Sequence, residues 1–153
     1  IIDYAHTPDA LESALNTLAE LCEGEVWVIY GCGGDRDHAK RPLMGEVASR
    51  LSSKSVITND NPRSEEPNAI ASAIAGGIKK QTQADNIEKL ESGSFCVVLD
   101  RQTAIEQVIA QAHAKDMILI AGKGHEKQQI IGNLKVDFDD AEVARNALEG
   151  RES

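Results

Sequence analysis

The stretch Val26-Trp27-Val28-Ile29-Tyr30-Gly31-Cys32-Gly33-Gly34-Asp35-Arg36-Asp37-His38-Ala39-Lys40-Arg41 decides the fold. Its first five residues are all β-branched or aromatic, too few for a helix and without a polar break, so they read as a strand buried on both faces. Gly31 stops the run, and Pro42 opens a helix with Leu43, Val47, Ala48 and Leu51 on one face. The same grammar recurs along the chain. Thr7-Pro8 reads as N-cap and first helical residue of a helix to Cys22, with Leu11, Ala14, Leu15, Leu18 and Leu21 at helical spacing. Ser55-Val56-Ile57-Thr58, Phe95-Cys96-Val97-Val98-Leu99 and Met117-Ile118-Leu119-Ile120-Ala121 read as three more strands. Between them lie a helix from Pro67 with Ile70, Ala73, Ile74 and Ile78, and another with Ala104, Ile105, Val108, Ile109 and Ala112. Apolar strands alternating with amphipathic helices predict an α/β fold: a doubly wound, mostly parallel, Rossmann-like sheet covered on both faces.

After the fourth strand the pattern changes. Gln129-Ile130-Ile131, Gly132-Asn133 and Leu134 to Phe138 predict a hairpin with a glycine-first turn, expected as antiparallel edge strands that bring the sheet to about six. Asp139 then caps a last helix through Val143, Ala147 and Leu148. No internal repeat or second domain is visible, so residues 1–153 read as one domain. The first residues contain neither Met nor a signal-peptide pattern, which reads as a piece cut from a longer chain.

Composition removes several function classes. With 16 Lys+Arg against 25 Asp+Glu the net charge is −9 and the pI about 4.9, which argues against a general nucleic-acid binder. No apolar run approaches the roughly 20 residues a bilayer requires, so no membrane span is expected. Cys22, Cys32 and Cys96 are odd in number and show no CxxC or zinc spacing, which predicts a reducing, cytoplasmic setting and no metal site.

In open parallel sheets ligands bind beyond the carboxyl ends of the strands. Those ends are polar here: Gly31 to Arg41, then Asn59-Asp60-Asn61-Pro62-Arg63-Ser64-Glu65-Glu66, then Gly122-Lys123-Gly124-His125-Glu126-Lys127. Arg36 occupies the third glycine position of a dinucleotide fingerprint, and no GxxxxGK[ST] exists. The glycine loop reads as flexible and rich in free N–H groups, suited to a carboxylate or phosphate, while Lys40 and Arg41 read equally as anion ligands or as solvated charges. Asp60, Asn61 and Arg63 place a carboxylate, an amide and a guanidinium within four residues, which is what an amino-acid head group requires; a local Asx turn with a solvated arginine is the competing reading. Neither His38 nor His125 has a nucleophile beside it in sequence, so no catalytic residue is assigned.

The segments DYAHTPDAL at 3–11, GCGGDRD at 31–37, KRPLMG at 40–45, DNPR at 60–63 and AGKGHE at 121–126 together closely resemble the C-terminal domain of the Mur ligases, within them the members that attach meso-2,6-diaminopimelate. The resemblance implies ATP-dependent amide formation: a D-glutamyl γ-carboxylate of UDP-MurNAc-L-Ala-D-Glu is phosphorylated and an amine attacks the acyl phosphate. It implies that Arg36, Asp60, Asn61, Arg63, Gly122 and Glu126 hold meso-diaminopimelate and that Asp3 and His6 approach ATP. It further implies that the ATPase and UDP-sugar domains, most of the ATP contacts and Mg2+ belong to upstream domains, so that this domain alone is catalytically silent. Two alternatives remain: a ligase of the same superfamily that adds another amino acid, and a non-catalytic amino-acid or anion-binding module.

Overall fold

The computed structural model describes residues 1–152. In chain order the elements are β1 (Ile2–Asp3), α1 (Pro8–Leu21), β2 (Val26–Tyr30), α2 (Lys40–Leu51), β3 (Lys54–Ile57), α3 (Pro67–Ala75), β4 (Thr82–Gln83), a 3-10 turn (Ile87–Lys89), β5 (Ser94–Val97), α4 (Arg101–Gln111), β6 (Met117–Ala121), β7 (Gln128–Ile131), β8 (Leu134–Asp137) and α5 (Asp140–Glu152). The main sheet has six strands in the order β1-β6-β2-β3-β5-β4, and every pairing in it is parallel.

Strand alternation divides the core. Val26, Val28 and Tyr30 point to the face covered by α1, α2 and α3, where Leu11, Leu15, Leu18, Met44, Val47 and Ile74 pack. Trp27 and Ile29 point to the face covered by α4, where Ile105, Val108 and Ile109 pack, with Val143 and Ala147 of α5 behind them. Because the strands are buried on both sides, no residue of β2 needs to be polar. Each fully buried Leu or Ile contributes about 1.5–3 kcal/mol relative to exposure, so the two clusters hold the layers without disulfides; all three cysteines are free.

The local signals act as read. The Thr7 side chain accepts from the Ala10 N–H at 3.2 Å, and Pro8 occupies the first turn of α1. Asp139 Oδ1 accepts from the Ala141 N–H at the start of α5. At the hairpin turn Gly132 has φ +59° while Asn133 does not enter the positive-φ region, the glycine-first geometry. Several boundaries move: β3 is Lys54–Ile57 and β5 Ser94–Val97 against the expected 55–58 and 95–99, and α3 ends at Ala75, short of Ile78. α2 starts at Lys40, two residues ahead of Pro42, because a helix's first N–H groups have no internal acceptor and a proline is harmless there.

The hairpin does not extend the main sheet. β7 and β8 form their own two-stranded antiparallel sheet, and the main sheet's edges are the two-residue strands β1 and β4, too short for a periodicity signal. β7 instead turns toward the loop after β3, where Arg63 makes an isolated bridge to Ile131.

A buried ion pair ties this rim together. Arg101, 1% exposed at the start of α4, donates from Nε and Nη2 to the Asp140 carboxylate at 2.7 and 2.8 Å. Its Nη1 donates to Asn59 O at 3.1 Å and its Nη2 also to Ala121 O at 3.0 Å, the carbonyls at the ends of β3 and β6. Truncating one partner of a buried pair strands the other charge, which costs about 3–5 kcal/mol. Asp140→Ala is therefore expected to lower the urea-unfolding free energy of the domain by about that amount, and a loss under about 1 kcal/mol would mean the pair does not organise the rim.

Candidate functional site

The loops after β2, β3 and β6 converge at the carboxyl end of the sheet. β2 and β6 are neighbours, yet the chain leaves β2 toward the face of α2 and leaves β6 through the hairpin toward α5, which packs on the opposite face. Such divergence opens a crevice. A cleft of about 420 Å³ lies there, lined by Tyr4, His6, Thr7, Gly33, Arg36, Asp37, Lys40, Asp60, Asn61, Arg63, Gly122 and Glu126.

The glycine loop is not the free, N–H-rich loop expected from sequence. Gly31, Gly33 and Gly34 have no positive φ; they are small because the loops touch, and a Cβ on Gly34 would lie 1.8 Å from Pro62 O. The Gly34 N–H donates to Asn61 O at 2.8 Å and the Asp35 N–H to Glu65 Oε1 at 2.8 Å. Glu65 is the hub, since Arg41 Nη1 lies 2.9 Å from Oε2, Arg41 Nη2 donates to Oε1 at 3.0 Å and His38 Nε2 lies 2.8 Å from Oε1. Arg41 is thus neither solvated nor available to a ligand: it is 3% exposed, and its Nη2 also donates to Gly33 O. The Asp35 carboxylate accepts from the Ser64 hydroxyl at 2.6 Å, closing a second latch between the two loops. Lys40 remains in the cleft wall, with Nζ donating to His6 O at 2.9 Å.

The Asp60 to Arg63 segment is held by distant partners, which excludes the local Asx turn. Asn61 Oδ1 accepts from Lys123 Nζ at 2.8 Å and from the Ile130 N–H at 2.9 Å, and Gln129 Nε2 donates to Asp60 O at 2.7 Å. The Arg63 N–H donates to Ile130 O and the Gly132 N–H to Arg63 O. These two bonds hold Arg63 at φ +51°, a conformation unfavourable to a side chain by about 1–3 kcal/mol. Arg63 Nη1 donates to Gly34 O at 2.9 Å, which leans the guanidinium along the cleft wall. Gly122 has φ +112°, and a Cβ there would meet Asp60 Oδ2 at 2.9 Å, so both conformation and space require glycine.

Of the residues singled out from sequence, Arg36, Asp60, Asn61, Arg63, Gly122, Glu126 and His6 share this one cleft. Asp3 does not. It faces a neighbouring depression with Gly124, His125, Lys127 and Asp139, and its Oδ1 accepts from the Ala5 N–H at 2.7 Å; Tyr4 borders both hollows. The residues missed are those that act from beneath: Lys123, which is 0% exposed, Glu65, Gln129 and the Arg101–Asp140 pair. An arginine directly after a helix-capping aspartate at Asp100-Arg101 was the one available clue to the last of these.

Charged groups alternate around the cleft, with Arg36, Lys40 and Arg63 against Asp37, Asp60 and Glu126, an arrangement that suits a zwitterion. Among the described residues no three His, Cys, Asp or Glu side chains group as a metal site. None of the described helices is long and apolar enough to cross a membrane.

Residues 1–124 match the family model for the Mur ligase, glutamate ligase domain, and the chain belongs to the Mur ligase family. Within that family it is 48% identical over 148 residues to the UDP-N-acetylmuramoyl-L-alanyl-D-glutamate–2,6-diaminopimelate ligase of Clostridioides difficile, covering 97% of this chain and 28% of that protein. It is 47% identical over 153 residues to the enzyme of the same name from Synechococcus elongatus, covering 100% of this chain and 29% of the other. A solved structure described as UDP-N-acetylmuramoyl-L-alanyl-D-glutamate–2,6-diaminopimelate ligase superimposes with a TM-score of 0.89 at 39% identity, over 99% of this chain and 29% of that one. The chain therefore spans under a third of the length of the relatives it matches.

The Glu65 hub has a pH signature. Hydrogen bonds from Arg41 and from the Asp35 backbone, with His38 adding, hold the Glu65 carboxyl at about 2, down from an ordinary 4.5. A depressed carboxyl stabilises the folded loops above the ordinary value, and that contribution is lost as pH falls through the folded one. The Glu65 side-chain carboxyl carbon resonance is thus expected to titrate with a midpoint near 2; a midpoint near 4.5 would show that Glu65 is unbound in solution.

Proposed function

We propose that this chain is the amino-acid-recognising domain of a longer ATP-dependent ligase that joins meso-2,6-diaminopimelate to the D-glutamyl γ-carboxylate of UDP-MurNAc-L-Ala-D-Glu, a cytoplasmic step of peptidoglycan precursor synthesis. The observation that carries the reading is the convergence of Arg36, Asp60, Asn61, Arg63, Gly122 and Glu126 on one cleft. The names of the relatives at 47–49% identity support the same substrates.

The chemistry follows from what each group offers. A diaminopimelate molecule carries two ammonium and two carboxylate groups, so the cleft must present cations and anions in alternation. Arg63 and Arg36 take carboxylates, while Asp60 and Glu126 take an ammonium. Lysine has no second carboxylate. It would leave the half-buried Arg63 guanidinium without its partner, and a site built around a charged hydrogen bond rejects a ligand that lacks it by orders of magnitude. ATP supplies the activation, turning the γ-carboxylate into an acyl phosphate; the amine then forms the C–N bond as the C–O bond to phosphate breaks. This chain's part is to hold the amine donor in line, with its other three charged groups fixed.

We assign Mg2+ and most ATP contacts to the rest of the longer protein, as the family resemblance implies; among the described residues no three His, Cys, Asp or Glu side chains group to hold a metal ion. Closure of this domain over the nucleotide would bring the Tyr4, His6 and Asp3 end of the rim to ATP. We assign Asp3 and His6 to that side.

The decisive assay is phosphate release by the full-length protein with UDP-MurNAc-L-Ala-D-Glu, ATP and either amino acid. Turnover with meso-diaminopimelate and at least ~100-fold lower kcat/KM with L-lysine is expected, and equal use of both would overturn the reading. Arg63→Ala is expected to raise KM for meso-diaminopimelate about 100-fold with KM for ATP unchanged; unaltered kinetics would remove Arg63 from the site. For Asp3→Ala the expected change is a higher KM for ATP, and a selective loss of diaminopimelate affinity would contradict its placement.

A further inference from the structure

Beneath the cleft lies a charge that the binding residues do not explain. Lys123 is 0% exposed, an unusual position for an ammonium group, whose transfer from water is costly unless carboxylates and hydrogen bonds replace the solvent. Its Nζ donates to Asn61 Oδ1 at 2.8 Å and lies 3.6 Å from Asp60 Oδ1 and 3.9 Å from Glu126 Oε2. It therefore reaches across from the loop after β6 to the loop after β3, touching from below three side chains that face the cleft.

Two carboxylates close to one buried cation leave one negative charge in excess, open to the cleft from above. That excess is what a ligand ammonium would neutralise. Without the lysine, the two carboxylates repel across a partly desolvated wall and Asn61 loses a donor, so the three groups are no longer drawn to one point beneath the cleft.

We propose that Lys123 is the positioning residue of the amino-acid site: its buried ammonium draws Asp60 and Glu126 together and holds Asn61 in place, so that the cleft presents a net acceptor for the substrate's ammonium. The inference rests on the function proposed above and adds a residue that never touches the ligand. Burial presses the Lys123 pKa down, while Asp60 and Glu126 oppose that shift. Arg101 and Asp140 bear on it from behind, and the cleft side carries Tyr4, His6, Arg36, Asp37, Lys40 and Arg63.

The test is steady-state kinetics of the full-length protein carrying Lys123→Met, with meso-diaminopimelate and ATP varied separately at about pH 7. The KM for meso-diaminopimelate is expected to rise about tenfold or more, with KM for ATP within about twofold of the unsubstituted protein and kcat within about threefold, the split that separates lost ligand positioning from general damage. If Lys123→Met does not yield folded protein, Lys123→Gln keeps a donor for Asn61 Oδ1, drops the charge and carries the same expectation. An unchanged amino-acid KM, an equal rise in KM for ATP, or failure of both variants to fold would each overturn the proposal. No turnover of meso-diaminopimelate by the unsubstituted protein would instead overturn the proposed function, and this inference with it.

Discussion

The buried fork between Arg101 and Asp140 is the constraint on which the rim depends. A parallel sheet ends in carbonyls that point past its carboxyl edge, and where loops diverge there they have no strand partner. Arg101 answers two of these at once, at Asn59 and Ala121, and is itself neutralised by the first residue of α5. One side chain thus couples β3, β6, α4 and α5, and two of the cleft-lining loops grow from the first two of these. A buried ion pair is not by itself a large source of stability, since desolvation offsets most of its attraction. What it supplies is specification: five guanidinium N–H groups in a fixed plane accept only one arrangement of the carbonyls around them.

Above this fork the cleft is assembled by backbone contact more than by flexible side chains. The loop after β2 lies against the loop after β3 so closely that Gly34 admits no Cβ, and the loop after β6 presses Gly122 against Asp60. The hairpin, which belongs to no part of the main sheet, spends the strand edge of β7 on the backbone of Arg63. Its pairing holds a left-handed arginine that a free loop would abandon. Preorganisation of this kind matters for a zwitterionic ligand, because charged groups that must reorganise on binding lose much of the interaction they make.

The net charge of −9 looks ill suited to the proposed ligand with its carboxylates, yet the local arrangement matters more than the sum. Arg36, Lys40 and Arg63 stand on the same cleft wall as Asp37, Asp60 and Glu126. At hydrogen-bond range the nearest charges decide the interaction, while those beyond about 8–10 Å are screened by physiological salt. An acidic protein can therefore carry a site with cationic positions, provided that a scaffold holds the opposite charges apart. Lys123 does this from below as a shared counter-ion for Asp60 and Glu126 on two different loops, while Glu65 clamps Arg41 and His38 of the segment after β2.

The sequence by itself determined the layers and the contents of the rim. Uninterrupted β-branched strands, helical apolar spacing, Thr7-Pro8 and the Gly132-Asn133 turn are local signals, and each acts over a few residues in the folded chain as it does in the sequence. The family motifs likewise named Arg36, Asp60, Asn61, Arg63, Gly122, Glu126 and His6, because residues that line one cleft cluster in short segments after strands. Only the tertiary structure decided what holds them. The roles of Arg101 with Asp140, Lys123 with Asn61 and Arg41 with Glu65 rest on contacts 39, 62 and 24 residues apart, and an isolated buried charge looks the same in sequence as a solvated one. The same limit applies to β1 and β4, to the hairpin's separation from the sheet, and to Asp3 lying outside the cleft that His6 lines. Burial and charge pairing are properties of segments brought together, and no local pattern encodes which distant segment arrives.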